Sequence, residues 1–239
     1  MKKSLLSLAV LAIGLPGLAH ADLAFNVGGV TDYRYRGISQ SRLKPALQGG
    51  VDFSAGGFYL GTWASTIKWI KDAGGDANVE IDLYGGYKGD IVKDSLSYDV
   101  GLLTYQYPGH KLGVSPVTTE LYGALTFGPA TLKYSHSVSN LFGFADSKNS
   151  GYLDLSASFD VGGGILVAPH VGYQRVAHNS SYSYTDVSLA VSKDFNGLVP
   201  SLTVYYADTK SIGGAPAYVS PSGKNLGRTG VVLGVKYNF

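Results

Sequence analysis

The chain has 239 residues and no cysteine, and only 15% of its residues are charged, against roughly 25% in an ordinary soluble domain. This composition excludes a disulfide framework and a thiolate metal site. The 33 glycines and 18 tyrosines, beside a single methionine, favour strands and turns over helices.

The N-terminus has the three parts of a secretory signal. A charged start at Lys2 is followed by an apolar run over 5–18 and by a small-x-small site that ends at Ala21, which predicts a signal peptide over 1–21. Glycine and proline interrupt the run and leave it shorter than the roughly 20 apolar residues of a membrane-spanning helix. We therefore expect export, with a single mature domain over 22–239.

The net charge gives no reason to expect a nucleic-acid partner. The formal surplus of +2 comes from Lys2 and Lys3, and without them 17 basic residues balance 17 acidic ones. A neutral mature chain has no general attraction for nucleic acid or for an anionic surface.

Apolar and polar residues alternate in twelve successive segments, beginning with a long run over 25–36. This period of two predicts strands with one apolar face. No later run is long enough for a membrane helix, so a membrane protein of this sequence must be a closed sheet. The fold prediction is an all-β, transmembrane antiparallel β-barrel of about 12 strands, over 25–36, 47–53, 58–65, 79–88, 97–102, 120–127, 130–139, 152–161, 165–175, 185–194, 201–209 and 228–239.

The connectors between these segments alternate in length. Short ones, rich in glycine, fall at 55–57, 128–129, 162–164 and 196–197, with a longer one predicted at 89–95. Longer polar ones fall at 38–44, 68–77, 108–117, 140–150, 176–183 and 211–227. Short turns on one side and long loops on the other are typical of outer-membrane barrels.

The last predicted strand ends on aromatic residues. Its outward face includes Tyr237 and Phe239, which in a barrel would lie at the membrane interface. We expect these two residues to serve as the assembly signal that the barrel-assembly machinery reads in the closing strand. The alternative is the edge strand of a soluble sandwich.

Several stretches resemble the TorF family of proteobacterial outer-membrane porins. They are Asp-Tyr-Arg-Tyr-Arg-Gly-Ile-Ser-Gln at 32–40, Pro-Ala-Leu-Gln-Gly-Gly at 45–50, Gly-Thr-Trp-Ala-Ser at 61–65, Glu-Ile-Asp-Leu-Tyr at 80–84 with Gly86-Tyr87, and Tyr-Gln-Tyr-Pro-Gly at 105–109. Thr66 stands where the family pattern has Asn. The resemblance implies a barrel and a pore, and it supplies no substrate or functional residue.

The sequence offers little for catalysis. His136 and the adjacent Ser137 fall on opposite faces of a strand, and His178 and Ser180 lie in a loop without a residue to orient them. No histidine has companions spaced as metal ligands, and the glycine-rich stretches do not form a phosphate-binding loop. We expect no enzyme activity, no cofactor and no metal.

The tyrosines allow two interpretations. Rings near strand ends, such as Tyr33, Tyr35 and Tyr237, suit an interfacial girdle, whereas rings on the polar faces, such as Tyr105 and Tyr122, could stack against sugars. The sequence favours girdle and packing roles.

The predicted function is an outer-membrane porin for passive diffusion of ions or small polar solutes, surrounded by lipid. The alternative is a non-conducting barrel that acts through its surface loops as an adhesin or enzyme.

Acidic residues group on strands four to six and basic residues on the first and last strands. They could form opposite walls with a transverse electric field, or could pair locally. The predicted pore-lining residues are Arg34, Arg36, Asp52, Glu80, Asp82, Asp99, Glu120, Lys133, His170, Arg228 and Lys236.

Overall fold

Twelve antiparallel strands close into a barrel in the computed structural model, which describes residues 21–239. The all-β, twelve-stranded prediction is confirmed. Residues 1–20 of the predicted signal peptide lie outside the described residues. The strands are β1 (Ala21–Val30), β2 (Ala46–Ala55), β3 (Phe58–Thr66), β4 (Val79–Val92), β5 (Leu96–Gln106), β6 (Thr118–Phe127), β7 (Ala130–Ser137), β8 (Gly151–Ala157), β9 (Ile165–Arg175), β10 (Tyr184–Lys193), β11 (Leu198–Asp208) and β12 (Gly230–Asn238).

The sheet closes because its first and last strands pair. Val27 of β1 lies opposite Gly49 of β2 on one side and opposite Tyr237 of β12 on the other. Each remaining strand pairs with the strands before and after it in the sequence, and the short segment Phe159–Asp160 continues the pairing of β8 with β9. Closure removes the edges at which unpaired backbone groups would lie.

The period-two alternation directs apolar side chains outward. Leu121, Leu125 and Phe127 of β6 are exposed, whereas Glu120 of the same strand is buried. Exposed aromatic rings concentrate near the strand ends, as expected for interfacial belts. Those near the short turns are Phe25, Phe53, Phe58, Tyr87, Phe127, Phe159, Phe195, Tyr237 and Phe239, and those near the long loops are Tyr134, Tyr173 and Tyr206.

Short turns and long loops lie at opposite ends of the barrel. The long connectors, numbered here as loops 1 to 6, cover 31–45, 67–78, 107–117, 138–150, 176–183 and 209–229. The prediction of a longer connector at 89–95 is wrong, because β4 continues to Val92 and leaves a turn of three residues, 93–95.

The first and last predicted strands are too long at the loop end. The first was expected over 25–36, but β1 ends at Val30. The last was expected to begin at Arg228, but β12 begins at Gly230. In both places the alternating pattern continues into residues that leave the barrel wall.

The buried apolar residues gather at the loop end of the barrel. One cluster joins loop 2, which contains a one-turn helix (Trp69–Asp72), to the ends of β2 and β5, and a second joins loops 1 and 6 to β10 and β11. Loop 5 contains a single 3-10 turn (Ser180–Tyr182). Among the described residues, no helix combines the length and the apolar character needed to cross a membrane.

Candidate functional site

Loop 1 folds into the barrel instead of standing above it. Two short segments, Arg34–Tyr35 and Ile38–Ser39, pair with each other as a hairpin. The prediction placed Arg34 and Arg36 on the wall of β1, but the structure places both on this hairpin, because the strand has already ended at Val30. Loop 1 therefore puts cationic side chains within the lumen rather than along the barrel wall.

Arg36 at the tip of the hairpin reaches the acidic side of the barrel. Its guanidinium nitrogens donate to both carboxylate oxygens of Glu120 on β6, at 3.0 and 2.7 Å, and to Oε1 of Gln174 on β9 at 2.7 Å. The guanidinium also lies 4.2 Å from the centre of the Tyr152 ring. Only 6% of the Arg36 side chain and 1% of the Glu120 side chain are exposed. Such a bidentate, buried pair is strong and directional.

The turn of the hairpin is strained and closely packed. Arg36 has φ +47°, in the left-handed region that non-glycine residues seldom adopt. Gly37 follows at φ +78°, and a Cβ atom on it would lie 2.7 Å from Cβ of Asp186 on β10. Glycine is needed here both for the backbone conformation and for the close approach to the barrel wall.

Arg34 anchors the base of the hairpin. Its Nε donates to Oδ2 of Asp32 at 2.8 Å, and its guanidinium donates to the carbonyl of Arg228 at 2.7 Å. The other oxygen of Asp32 accepts from the hydroxyls of Ser39 and Ser41. Arg34 and Arg36 are thus each paired with a carboxylate, Asp32 and Glu120 respectively, so these opposite charges meet directly instead of standing apart on two walls.

Aromatic residues of loop 1 fill the space beside Arg36. The Tyr35 ring packs edge-on against Tyr105 and Phe142, with ring centres 5.5 and 5.7 Å apart, and the hydroxyls of Tyr35 and Tyr105 form a hydrogen bond. The Tyr33 hydroxyl donates to Glu80 at 2.6 Å. Burial, together with this carboxylate, raises the pKa of the Tyr33 phenol well above its ordinary value, so it remains a donor. Tyr33 and Tyr35 therefore contribute to the lumen and not to the girdle.

Towards the short turns, acidic residues of the wall accept from tyrosines. Asp52 accepts from Tyr84 at 2.5 Å, and Asp99 accepts from Tyr59 at 2.5 Å. Lys133 lies 3.9 Å from the centre of the Tyr122 ring. These inward rings lie over glycines of neighbouring strands, where a Cβ would meet the ring within 2.7 Å: Tyr84 over Gly61, Tyr59 over Gly86 and Tyr122 over Gly101.

His170 lies in an acidic cluster. Its Nε2 is 2.6 Å from Oδ2 of Asp154, and its Nδ1 is 3.6 Å from Oδ1 of Asp186. Tyr152 donates to Asp186 at 3.0 Å and also contacts His170 at 3.1 Å. Asp154 and Asp186 were not among the predicted lining residues, although both stand on the polar face of an alternating strand, and that position was the signal available for finding them.

Three predicted lining residues remain. Asp82 is buried on the inner face of β4, and its Oδ1 has no hydrogen-bond partner among the described residues. Lys236 lies on the inner face of β12 and lines a cavity of about 290 Å³ near the short-turn end. Arg228 is exposed in loop 6, just before β12.

The hairpin of loop 1 separates two further cavities. One, of about 430 Å³, lies among the long loops, and the other, of about 380 Å³, lies inside the barrel and is lined by Lys133, Asp154 and His170. Tyr35 and Arg36 line both cavities. The side chains of these two residues thus form a constriction between an outer and an inner chamber.

The C-terminal aromatic residues join the last strand of the barrel to the first. The Phe239 ring stacks on Phe25 of β1 with the ring centres 5.8 Å apart, and on Tyr237 at the same separation. Backbone bonds of 2.9 and 3.0 Å link Phe25 and Phe239 beyond the last paired residues of the sheet. Phe239 thereby extends the closing seam by one residue.

Within residues 21–239, no group of three or more His, Asp or Glu side chains is placed to hold a metal ion. A closed antiparallel barrel with an apolar exterior and a charged interior has the architecture of a transmembrane β-barrel of the outer-membrane type. The chain belongs to the Gcw_chp family, whose model matches residues 17–239 and is described as a bacterial protein of unknown function. No curated protein matches the chain.

Solved structures with the same fold include two porins. A KdgM porin superposes with a TM-score of 0.59 at 9% identity, covering 90% of this chain and 99% of its own. A NanC porin superposes with a TM-score of 0.57 at 13% identity, covering 89% and 98%. At these identities the likeness establishes the twelve-stranded fold.

Proposed function

We propose that this protein is a porin of the cell outer membrane, a channel for passive diffusion of ions or small polar solutes, and a member of the TorF family of porins. The observation that carries the proposal is the contrast between the two faces of the barrel. The exterior is apolar and bordered by aromatic rings, as lipid requires, and the interior holds cavities lined by charged and hydroxylated side chains, as water and polar solutes require.

The size of the pathway follows from loop 1. Twelve strands enclose a space between the filled interior of eight-stranded barrels and the wide channel of sixteen-stranded ones. The constriction by Tyr35 and Arg36 narrows it further. The solutes we propose are therefore ions and small polar molecules. One of the similar structures is a KdgM porin in complex with disordered oligogalacturonate, which supports a channel role for this architecture.

Conduction can be tested on the refolded protein in planar bilayers and in liposomes. We expect discrete single-channel currents and swelling in small solutes such as arabinose, and much slower swelling in a trisaccharide such as raffinose. A folded, membrane-inserted protein that carries no current and causes no swelling would refute the porin proposal.

The same experiment decides the second candidate, a non-conducting barrel that acts through its loops. The observation in its favour is that loop 1 lies inside the barrel, held by the pair of Arg36 and Glu120.

We propose that this barrel is not an enzyme. His178 and its neighbour Asp146 are exposed in loops 5 and 4, an arrangement without the buried, oriented base that nucleophilic catalysis requires.

Ion selectivity tests whether the predicted lining residues border the conduction path. Replacing Arg34 and Arg36 with neutral residues leaves their acidic partners unpaired, so reversal potentials in a salt gradient should shift towards cation selectivity. Replacing Glu80 and Asp82 with Gln and Asn should shift them towards anion selectivity. A conducting channel whose selectivity stays fixed in both double variants would place the filter elsewhere, in the loops.

The partners we propose follow from the exterior and the C-terminus. They are outer-membrane lipid around the apolar band and the barrel-assembly machinery at the closing strand β12; we propose neither nucleic acid nor a cofactor.

Cell fractionation tests the proposed location in the outer membrane. The protein should be recovered with the outer membrane and should migrate differently on a gel before and after heating, and a heat-insensitive protein recovered from the soluble fraction would contradict the proposal.

A further inference from the structure

The outer chamber differs in chemistry from the polar lumen beneath it. Apolar and aromatic side chains from several loops converge on this cavity of about 430 Å³, including Trp69 of loop 2, Val114 of loop 3, Phe142 and Phe144 of loop 4, and Tyr218 of loop 6. A water-filled entrance to a polar pore has no need of such a lining. Four loops that are distant in sequence have brought these groups to one place.

The polar groups of the chamber are mostly engaged with the protein. Gln174 accepts from Arg36 and donates to the carbonyls of Gly151 and Arg175. Gln40 donates to a backbone carbonyl, and the Tyr218 hydroxyl donates to another. A sugar in this chamber would lose its hydrogen bonds to water and gain few in return, which is costly.

The charged groups of the chamber are also paired. Arg36 is held by Glu120 in a bidentate pair, and Glu80 accepts from Tyr33. A charged ligand would therefore have to compete for a buried group that already has a partner. The chamber offers an incoming molecule aromatic faces and aliphatic edges.

The walls of the chamber are preformed. Trp69 packs edge-on against Tyr107, with ring centres 5.1 Å apart, on one side. Phe144 packs against Tyr182 at 4.5 Å, and Tyr184 against Tyr218 at 5.2 Å, on the other. Protein interiors leave few voids larger than a water molecule, so an apolar space of this size held open by packed rings is suited to a ligand. Its volume falls within the roughly 300–1,000 Å³ of ligand pockets.

We propose that the outer chamber is a binding site for an uncharged, mainly apolar small molecule that contains a ring. The site lies on the long-loop side of the constriction formed by Tyr35 and Arg36. It is independent of conduction, because a ligand can occupy the chamber whether or not the lumen beneath it is open.

The two tryptophans of the chain provide a direct test. Trp63 lies on β3 and Trp69 lines the chamber, so Trp63→Phe leaves Trp69 as the sole tryptophan. The probe is dansylamide, an uncharged aromatic sulfonamide that accepts energy from tryptophan, added to the refolded barrel in lipid vesicles. We expect saturable energy transfer, and we expect bound dansylamide to shield Trp69 from quenching by acrylamide. A transfer signal that rises linearly with the probe, as for partition into lipid, would overturn the proposal.

Variants then place the probe within the chamber. Ala73→Phe with Val114→Phe puts two rings into the space from positions that line it, and at least tenfold weaker binding is expected. The matched control is Ile212→Phe, at an exposed position of loop 6 that does not line the chamber, for which affinity should not change. Equal affinity in the filled and control variants, both shown to be folded by heat-modifiable migration, would refute the site.

Competition identifies the class of ligand. We expect 1-naphthol to displace dansylamide and maltose at the same concentration to leave it bound. Displacement by maltose, or retained acrylamide quenching of Trp69 in the presence of saturating dansylamide, would overturn the assignment. The latter measurement needs only the Trp63→Phe variant, so it remains decisive if the filled variants do not fold.

Discussion

The pair of Arg36 and Glu120 is the contact on which the position of loop 1 most depends. Arg36→Met keeps the length of the side chain and removes its charge. Glu120, of which 1% is exposed, then loses its cationic partner and both hydrogen bonds from Arg36, keeping the one that Tyr105 donates at 3.2 Å, and Gln174 loses one. An unpaired charge of this kind costs about 3–5 kcal/mol when one partner is removed.

That cost sets the size of the expected change. At about 1.4 kcal/mol per factor of ten, the ratio of detached to inserted hairpin should rise between about a hundredfold and a few thousandfold. Because the hairpin separates the outer chamber from the inner one, we expect Arg36→Met channels to show larger single-channel currents or frequent transitions to a higher level. Chymotrypsin should also cleave at Tyr33 and Tyr35, which are protected while the hairpin stays inserted.

The matched control is Arg42→Met in the same loop. Arg42 also forms a two-nitrogen contact with a carboxylate, that of Asp72, but its side chain is 37% exposed, and exposed pairs contribute little. Currents and cleavage that are the same in the Arg36 and Arg42 variants would refute the reasoning. The double variant Arg36→Met with Glu120→Met removes both charges and should recover much of the protection, since replacing both members of a buried pair by apolar groups is often neutral.

Three further predictions concern other parts of the barrel. Deleting Phe239, or replacing it with a charged residue, should leave export intact and prevent assembly, because the closing seam loses its last aromatic contact; normal amounts of heat-modifiable barrel would contradict this. An epitope inserted within 211–227 should be tolerated and labelled on intact cells, since this loop is largely exposed, and labelling only after permeabilisation would reverse the topology. Gly37→Val should displace the hairpin and expose it to chymotrypsin, because its Cβ would lie 2.7 Å from Cβ of Asp186, whereas Gly214→Val, also at positive φ but with no atom within 4 Å of its Cβ, should not; equal cleavage would show that the close approach is unimportant.

The alternation of apolar and polar residues predicts the same barrel architecture that the resemblance to the TorF family implies. It does so for a simple physical reason. Side chains on a strand alternate between the two faces of the sheet. In a barrel with one face towards lipid and the other towards water, apolar and polar residues therefore alternate along every strand. The outward Leu121 and Phe127 and the inward Glu120 are consistent with this rule. The strand count and the alternation of short turns with long loops could therefore be predicted from local sequence, whereas strand ends such as Val30 and Val92 could not.

The placement of the candidate site followed from the sequence only in part. Asp52, Glu80, Asp99 and Lys133 lie on inner faces because their own strands dictate it. The alternating run beyond Val30 looked like more strand, since Tyr33 and Tyr35 keep the period of two.

By itself, then, the sequence determined which residues of each strand turn towards the interior, because that choice depends on neighbours two positions away. The tertiary structure decided that β1 ends at Val30 and that Arg36 crosses the lumen to Glu120, 84 residues later in the chain. A period of two contains no information about where a chain leaves the sheet, or about which distant carboxylate a buried guanidinium will meet. Those outcomes depend on the closed barrel, which brings β6 and β9 opposite the end of β1 and gives loop 1 a paired, buried place inside it.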